Sequence, residues 1–231
     1  MKLVVYSAVY GPRDYCPTFK NPPSGFDCVL FTDDIALAEY LTSRKLPWKI
    51  RLVAASATDP ARASRVFKLK PHEYFPEYDA SMWVDGNMEL LADPLAVAKQ
   101  ELGENGPAQI NFAAYEHFSG VRDAFQCASR CISMKKGNAK EIKQQIGEYR
   151  DVGYSEDESI CAAGILIRRH NIPAVVEFDN FWWLQVKMYS CRDQISWAYS
   201  RWYYSWRQGI DYSWIKTPFR EFVNIGAHQT R

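Results

Sequence analysis

Apolar residues come in short runs along the first part of the chain, and each run ends at a polar break. Lys2 to Val9 stops at Tyr10-Gly11-Pro12, Asp27 to Thr32 stops at Asp33-Asp34, Trp48 to Ala54 forms a third run, and Ala80 to Val84 stops at Asp85-Gly86-Asn87. Runs of this length suit buried strands. Helical propensity follows from Ile35 to Leu41, and Asp59-Pro60 sets an N-cap residue ahead of a proline at the first helical position. Strand and helix in alternation predict an α/β fold with a mostly parallel central sheet flanked by helices. Further on, Pro94 to Leu102 reads as a helix, Gln109 to Tyr115 as a strand, residues 119–149 as one or two helices broken at Gly137-Asn138, and Ala162 to Arg168 as another buried strand.

The break after Val84 carries the strongest chemistry. It drops a carboxylate at the carboxyl end of a strand, the edge where open α/β sheets bind ligands. Gly86 lets the backbone turn tightly, so Asp85 and Asn87 can point to one place. Oxygen ligands so spaced suit Mg²⁺ or Mn²⁺, which takes one or two carboxylates and fills its shell with phosphate oxygens and water. The competing reading is an ordinary turn, since D-G and G-N are turn dipeptides. The loops after the first two strands should open on the same edge. There Tyr10 is placed to stack on a base, and Thr32 or Asp33 to accept hydrogen bonds from base or ribose, unless Asp33 or Asp34 only caps the next helix. On the helix after Pro60, Ser64, Arg65 and Lys68 share a polar face and Ala63, Val66, Phe67 and Leu69 an apolar one. The cations are expected to face outward together, either toward phosphates over the Asp85 edge or as a solvated face.

Composition narrows the classes. A length of 231 residues without a Pro/Gly/Ser linker predicts one domain, and 28 basic against 27 acidic residues, interspersed, argue against nucleic acid. Met1 to Val9 is too short and too early for a signal peptide, and no run approaches a membrane span, so a cytoplasmic protein is expected. The six cysteines show no disulfide framework, and Cys127 with Cys131, four apart on a helix, reads as core rather than half a zinc site. From Phe178 to Trp214, 13 of 37 residues are aromatic against 15% in the whole chain. Most should be packing, with one or two, Trp183 among them, touching a sugar face.

The stretch R-A-S-R-V-F-K-L-K-P-H-E-Y-F-P-E-Y-D-A-S-M-W-V-D-G-N-M-E-L resembles the core of domain-of-unknown-function family 616, a glycosyltransferase-like family of bacterial polysaccharide loci and plant Golgi proteins. F-T-D-D upstream and Y-E-H-F, G-I-L-I-R-R-H-N and S-C-R-D-Q-I-S downstream extend the likeness over most of the chain. It implies a GT-A type, Rossmann-like nucleotide-diphospho-sugar transferase fold, whose D-x-D motif holds Mn²⁺ or Mg²⁺ against the donor diphosphate. Asp85-Gly86-Asn87 stands in for D-x-D, with Asn87 replacing the second carboxylate. By the same likeness, Asp193 is the catalytic or sugar-orienting carboxylate, Gln194 touches donor-sugar hydroxyls, and His117 meets the acceptor. The Ala162 to Arg168 strand, ending in Arg168-Arg169-His170, floors the acceptor side of the cleft. His228, if not a frayed end, gives a third metal ligand. The implied activity moves a sugar from a nucleoside-diphosphate donor, UDP first among them, to a saccharide acceptor in surface polysaccharide synthesis. A carbohydrate-binding or scaffolding protein with a degenerate site is the alternative.

Overall fold

The computed structural model describes residues 1–11, 16–54, 59–103, 110–117, 120–154, 159–205 and 210–227. In chain order its elements are β1 (Leu3–Val9), β2 (Thr18–Phe19), β3 (Asp27–Thr32), α1 (Ile35–Ser43), β4 (Trp48–Leu52), α2 (Pro60–Leu69), α3 (Pro71–Tyr74), β5 (Ala80–Val84), β6 (Met88–Leu90) and α4 (Pro94–Glu101). There follow β7 (Phe112–Glu116), α5 (Ala124–Ser133), α6 (Ala139–Asp151), β8 (Cys161–Arg168), α7 (Pro173–Met188), α8 (Asp193–Ser205), β9 (Tyr212–Trp214), α9 (Phe219–Phe222) and β10 (Val223–Ile225).

Seven strands form one sheet in the order β4-β3-β1-β5-β8-β7-β9. The chain steps from β1 outward to β3 and β4 on one side, then returns to place β5 on the other side of β1. That reversal is a topological switch point, and it lies between strands that both end in candidate residues. Every position of β5 is buried, as expected for a strand covered on both faces. One core cluster gathers Val4, Tyr6, Trp83 and Leu166 with the inner sides of α2, α5, α7 and α8. The second gathers Leu3, Val5, Met82 and Ile167 with α1 and α4.

Helix starts follow local chemistry. Asp34 accepts from Leu37 N at 2.9 Å, Asp59 from Arg62 N at 2.9 Å ahead of Pro60, and Asp123 from Gln126 N at 2.8 Å. The break between α5 and α6 falls at Gly137, whose φ of +87° lies where side chains are strained.

Two features depart from the sequence pattern. β8 runs antiparallel to β5, pairing Val84 with Ile165 and Ser81 with Arg168. The start of β8 therefore stands at the Asp85 edge and its end at the opposite edge, so the Arg168-Arg169-His170 end does not floor the cleft. An apolar run encodes burial and not direction, which is why the expectation failed. A second, three-stranded sheet, β10-β6-β2, is assembled from strands too short to give a periodic signal.

Candidate active site

β1, β3 and β5 are parallel, so the residues that follow them meet at one edge. The backbone N–H of Gly11 donates to Asp33 Oδ1 at 3.0 Å and ties the first two loops together. Tyr10 stacks on Phe67, with centroids 6.0 Å apart and planes at 29°. Burial and then Asp33 push its hydroxyl well above the usual tyrosine range. Asp34, not Asp33, caps α1, while Asp33 serves the loop contact to Gly11. Thr32 is fully buried and its Oγ1 accepts from Asp34 N at 3.1 Å. It shapes the turn and does not present its hydroxyl to a ligand.

At the end of β5, Asp85 is fixed from three directions. Its Oδ1 accepts from Trp83 Nε1 at 2.7 Å, its backbone N–H donates to Gly164 O at 2.9 Å, and its carbonyl accepts from Met88 N at 3.1 Å. Its side chain remains 36% exposed. β8 passes so close that a Cβ on Gly164 would lie 2.2 Å from Met88 Cε and 3.4 Å from Asp85 Oδ2. A side chain there would have to push the end of Met88 aside.

α2 delivers the cations, though not as its periodicity suggested. Ser64 and Lys68 are buried, with Lys68 only 1% exposed, so the shared polar face looks into the protein rather than into solvent. Lys68 Nζ lies 2.6 Å from Asp193 Oδ2 and 3.5 Å from Asp85 Oδ1, and 5.4 Å from the centre of the Trp83 ring. Arg65 Nε is 3.3 Å from Asp193 Oδ2. The polar stripe is inward because α8 starts opposite it with a buried carboxylate that needs partners. Behind Lys68, Arg168 donates to its carbonyl at 2.5 Å and to Tyr6 Oη at 2.6 Å, while holding both oxygens of Asp179 at 3.0 Å. The backbone of Lys68 is thereby anchored by the end of β8.

Asp193 is the first residue of α8, 3% exposed, and Trp182 Nε1 donates to its carbonyl at 2.8 Å. Burial alone would raise its pKa, but Lys68 and Arg65 outweigh it and hold the carboxyl well below the usual carboxylate range. Gln194 Nε2 donates to Cys161 O at 3.2 Å, which sets its amide against the start of β8. Arg192, whose guanidinium faces Asp193 and Cys131, keeps a pKa above the ordinary arginine value: burial works against it and is overcome by these neighbours. Three cations, Arg65, Lys68 and Arg192, thus surround two carboxylates, and the cluster carries net positive charge.

Asn87 turns its Nδ2 to Gly226 O at 2.9 Å, while Gly226 N donates to Asn87 O at 2.8 Å. The late chain is thereby tied to the β5 turn two residues before His228, which itself lies outside the described residues. Among those described, no group of three His, Cys, Asp or Glu is arranged to hold a metal. The donor set still fits a hard cation that shares its shell with substrate: Asp85 Oδ2 and Asn87 Oδ1 are oxygens on one turn, and diphosphate and water would supply the rest.

His117 follows β7 at the same edge and donates its backbone N–H to Ile160 O at 2.9 Å. It lines an open cavity of about 560 Å³ with Glu116, Arg122, Asp123, Gln126 and Ile160. Burial and then Arg130 lower its pKa, which keeps the imidazole neutral near pH 7. Trp183 is half-buried on α7 and packs against the core. Cys127 and Cys131 are both buried in that core, as expected of packing residues. The supporting residues Trp83, Gly164 and Asp179 were not singled out by the sequence, and Arg168 was expected at the acceptor side rather than behind Lys68. Only the W-V-D spacing, which sets an indole two residues before the carboxylate, was there to find.

Fold and site together define an α/β protein with a positively charged, carboxylate-bearing cluster at a switch point. The chain matches the family described as TOD1/MUCI70, glycosyltransferase-like domain, over residues 2–227, and belongs to it. Among curated relatives it is 28% identical over 148 residues to "Probable hexosyltransferase MUCI70" from Arabidopsis thaliana, covering 61% of this chain and 25% of that protein. It is 23% identical over 165 residues to "Alkaline ceramidase TOD1" from the same plant, covering 67% of this chain and 35% of that one. The chain thus spans about a quarter to a third of the curated relatives it matches. Solved structures similar to it include the mannosyltransferase Ktr4p of S. cerevisiae, with TM-score 0.49, 8% identity, 96% of this chain and 70% of that one. Mouse xyloside xylosyltransferase 1 follows at TM-score 0.47 and 9% identity, covering 85% and 80%.

Proposed function

We propose that this glycosyltransferase-like domain transfers a sugar, a hexose first, from a nucleoside-diphosphate donor, with UDP as the leading candidate, to a saccharide acceptor in polysaccharide synthesis, using a GT-A type cleft. The observation that carries the reading is Lys68, a buried ammonium shared between the strand-end Asp85 and the helix-start Asp193 and flanked by Arg65. Departure of a diphosphate concentrates negative charge at one place, and preorganised cations in a sheltered cleft stabilise that charge far better than water does. Tyr10 and Asp33 lie on the same edge, suited to base and ribose. Asp193, kept ionised by its cations, faces where the donor sugar would sit and stabilises positive charge developing at the reacting carbon. Gln194 orients the sugar's hydroxyls, and neutral His117 accepts a hydrogen bond from the acceptor.

Asp85, Asn87 and His228 would hold Mn²⁺ or Mg²⁺, and such an ion supplies Lewis-acid neutralisation of the diphosphate. The relative named for ceramide hydrolysis supports a second reading, amide cleavage. Three cations around the cluster favour an anionic leaving group over it.

Calorimetric titration with UDP, with and without Mn²⁺, followed by a panel of UDP-sugars scored for release of UDP, tests the proposal. Metal-enhanced UDP binding and turnover of one donor are expected. Glycan binding without nucleotide binding would point to a lectin-like scaffold, ceramide hydrolysis to the second reading, and either would overturn the transferase.

A further inference from the structure

One guanidinium outside the charge cluster ties its two halves together. Arg62, Arg65 and Lys68 recur at intervals of three along α2, so Arg62 stands about 4.5 Å and 9 Å along the helix axis before the other two. Arg62 Nε donates to Asp59 Oδ2 at 2.8 Å, and Nη2 donates to Glu141 Oε2 of α6 at 2.9 Å. Its remaining nitrogen, Nη1, donates to Tyr189 O at 2.5 Å and Val186 O at 2.6 Å, with Lys187 O at 3.2 Å. These carbonyls belong to the carboxyl-terminal end of α7, where a helix leaves its last acceptors unpaired and its dipole is negative. A cation from a neighbouring helix answers both needs at once. With only 21% of its side chain exposed, Arg62 is more than a surface ion pair.

Tyr189 is the C-cap of α7 and stands four residues before Asp193. The connection between them has little slack. Ser190 Oγ donates to Gln145 Oε1 of α6 at 2.6 Å, and Trp182 Nε1 of α7 donates to Asp193 O at 2.8 Å. Where the Tyr189 carbonyl sits therefore governs where the Asp193 carboxylate sits, and Arg62 refers that carbonyl to α2. The separations so fixed are short ones: Lys68 Nζ to Asp193 Oδ2 at 2.6 Å and Arg65 Nε to the same oxygen at 3.3 Å. A charged hydrogen bond of this kind is lost once its partners move apart by about 1 Å.

We infer that Arg62 is a positioning residue of the transfer site: it touches no substrate, and by clasping the end of α7 to α2 it fixes how closely Asp193 meets Lys68 and Arg65. Its effect on turnover rests on the transferase reading, whereas its effect on the charge cluster does not.

The test is Arg62→Gln in the full chain, which keeps a donor but lacks the charge and the reach to grip the α7 carbonyls. Two quantities are read: exchange of the Lys68 ammonium with water by ¹⁵N-lysine NMR, its signal identified by contact with the Trp83 ring, and kcat and KM with a UDP-sugar. Ammonium exchange should quicken about tenfold, and kcat should fall about tenfold with the donor KM within about threefold of the parent, the pattern of a displaced transition-state contact. Leu37→Ala, a core truncation on α1, should lower the thermal midpoint and leave both quantities unchanged. If Arg62→Gln fails to fold, Asp59→Asn decides the matter. Asparagine caps α2 as well as aspartate does but holds Arg62 Nε less strongly, so both quantities should move the same way, about twofold. Unchanged ammonium exchange in the folded variant, an equal change in Leu37→Ala, or faster exchange with an unaltered kcat overturns the inference. A parent chain that turns over no UDP-sugar would sink the transferase reading alone, since the ammonium still reports on the clasp.

Discussion

The two carboxylates of the cleft are built on opposite plans. Asp85 ends a strand, keeps 36% of its side chain exposed, and is steered by an indole N–H and a passing glycine. Asp193 begins a helix, is 5% exposed at its side chain, and is balanced by two cations from another helix. A carboxylate that is partly exposed, held mainly by neutral groups and only at 3.5 Å by Lys68, can change partners at little cost. A buried one locked into charge pairs cannot, because removing either partner leaves an uncompensated charge. The difference suggests a division of labour, with Asp85 the exchangeable ligand and Asp193 the fixed electrostatic element.

The sharpest way to break this contrast is Asp193→Asn, which keeps size and removes charge. It leaves Lys68 buried without its nearest counter-ion and should cost about 3–5 kcal/mol of stability, besides lowering kcat. The loss should depend on pH with a definite sign. The folded carboxyl lies below its unfolded value near 3.9, so its contribution is full above that value and fades as pH falls toward the folded pKa. Thermal midpoints of the two proteins should therefore converge below about pH 4, and a gap constant between pH 3 and 7 would show that Asp193 only caps α8.

Asp85→Ala should show the reverse pattern. The fold stays intact, because the side chain stands at the rim, while turnover falls about 10²- to 10³-fold, roughly 3–4 kcal/mol of transition-state stabilisation. A melting curve and a donor-hydrolysis rate check both halves. An unfolded variant would return Asp85 to the role of an ordinary turn residue, and a folded one with full activity would remove it from the site.

Gly164→Ala sharpens the contrast without touching either carboxylate. The added methyl must displace the flexible end of Met88, while Asp85 Oδ2 at 3.4 Å stays in ordinary contact, a cost at the low end of overpacking, about 1 kcal/mol. UDP affinity should drop while the acid dependence of stability, a property of Asp193, stays as in the parent chain. Trp83→Phe is the mildest probe: it removes the N–H on Asp85 Oδ1 and should cost about 0.5–1.5 kcal/mol. Its effect should fall on nucleotide binding and disappear in the Asp85→Ala background, which a double-mutant cycle measures.

The parallel half of the sheet was legible because each strand is an apolar run with an abrupt polar end, and Asp85 was legible with it. The capping role at Asp59 and the helix break at Gly137-Asn138 were readable from single residues. Lys68 was assigned to the right helix and the right partners' edge, yet its burial could not be read. Periodicity reports which residues share a face, and whether that face meets water depends on Asp193, which arrives from a distant part of the chain. Arg168 failed for a related reason, because its strand's direction is fixed by pairing and not by composition. Trp183 shows the limit of an aromatic count, since rings at helical spacing pack against one another first, as Tyr149 and Tyr199 do at 3.8 Å between centroids.

The anchoring of Lys68 also bears on how the protein comes into being. Its carbonyl is held by a residue 100 positions later, and that residue reaches Tyr6 across 162 positions. Contacts of such separation close late, since the loop entropy must be overcome before they reward the chain. During synthesis the amino-terminal strands would emerge with the ammonium of Lys68 still hydrated, and only the arrival of β8 and α8 would draw it inward. The site is thus among the final parts of the molecule to acquire its charge arrangement, and a chain cut short before residue 193 would hold the parallel strands and Lys68 without the carboxylate that draws its ammonium inward.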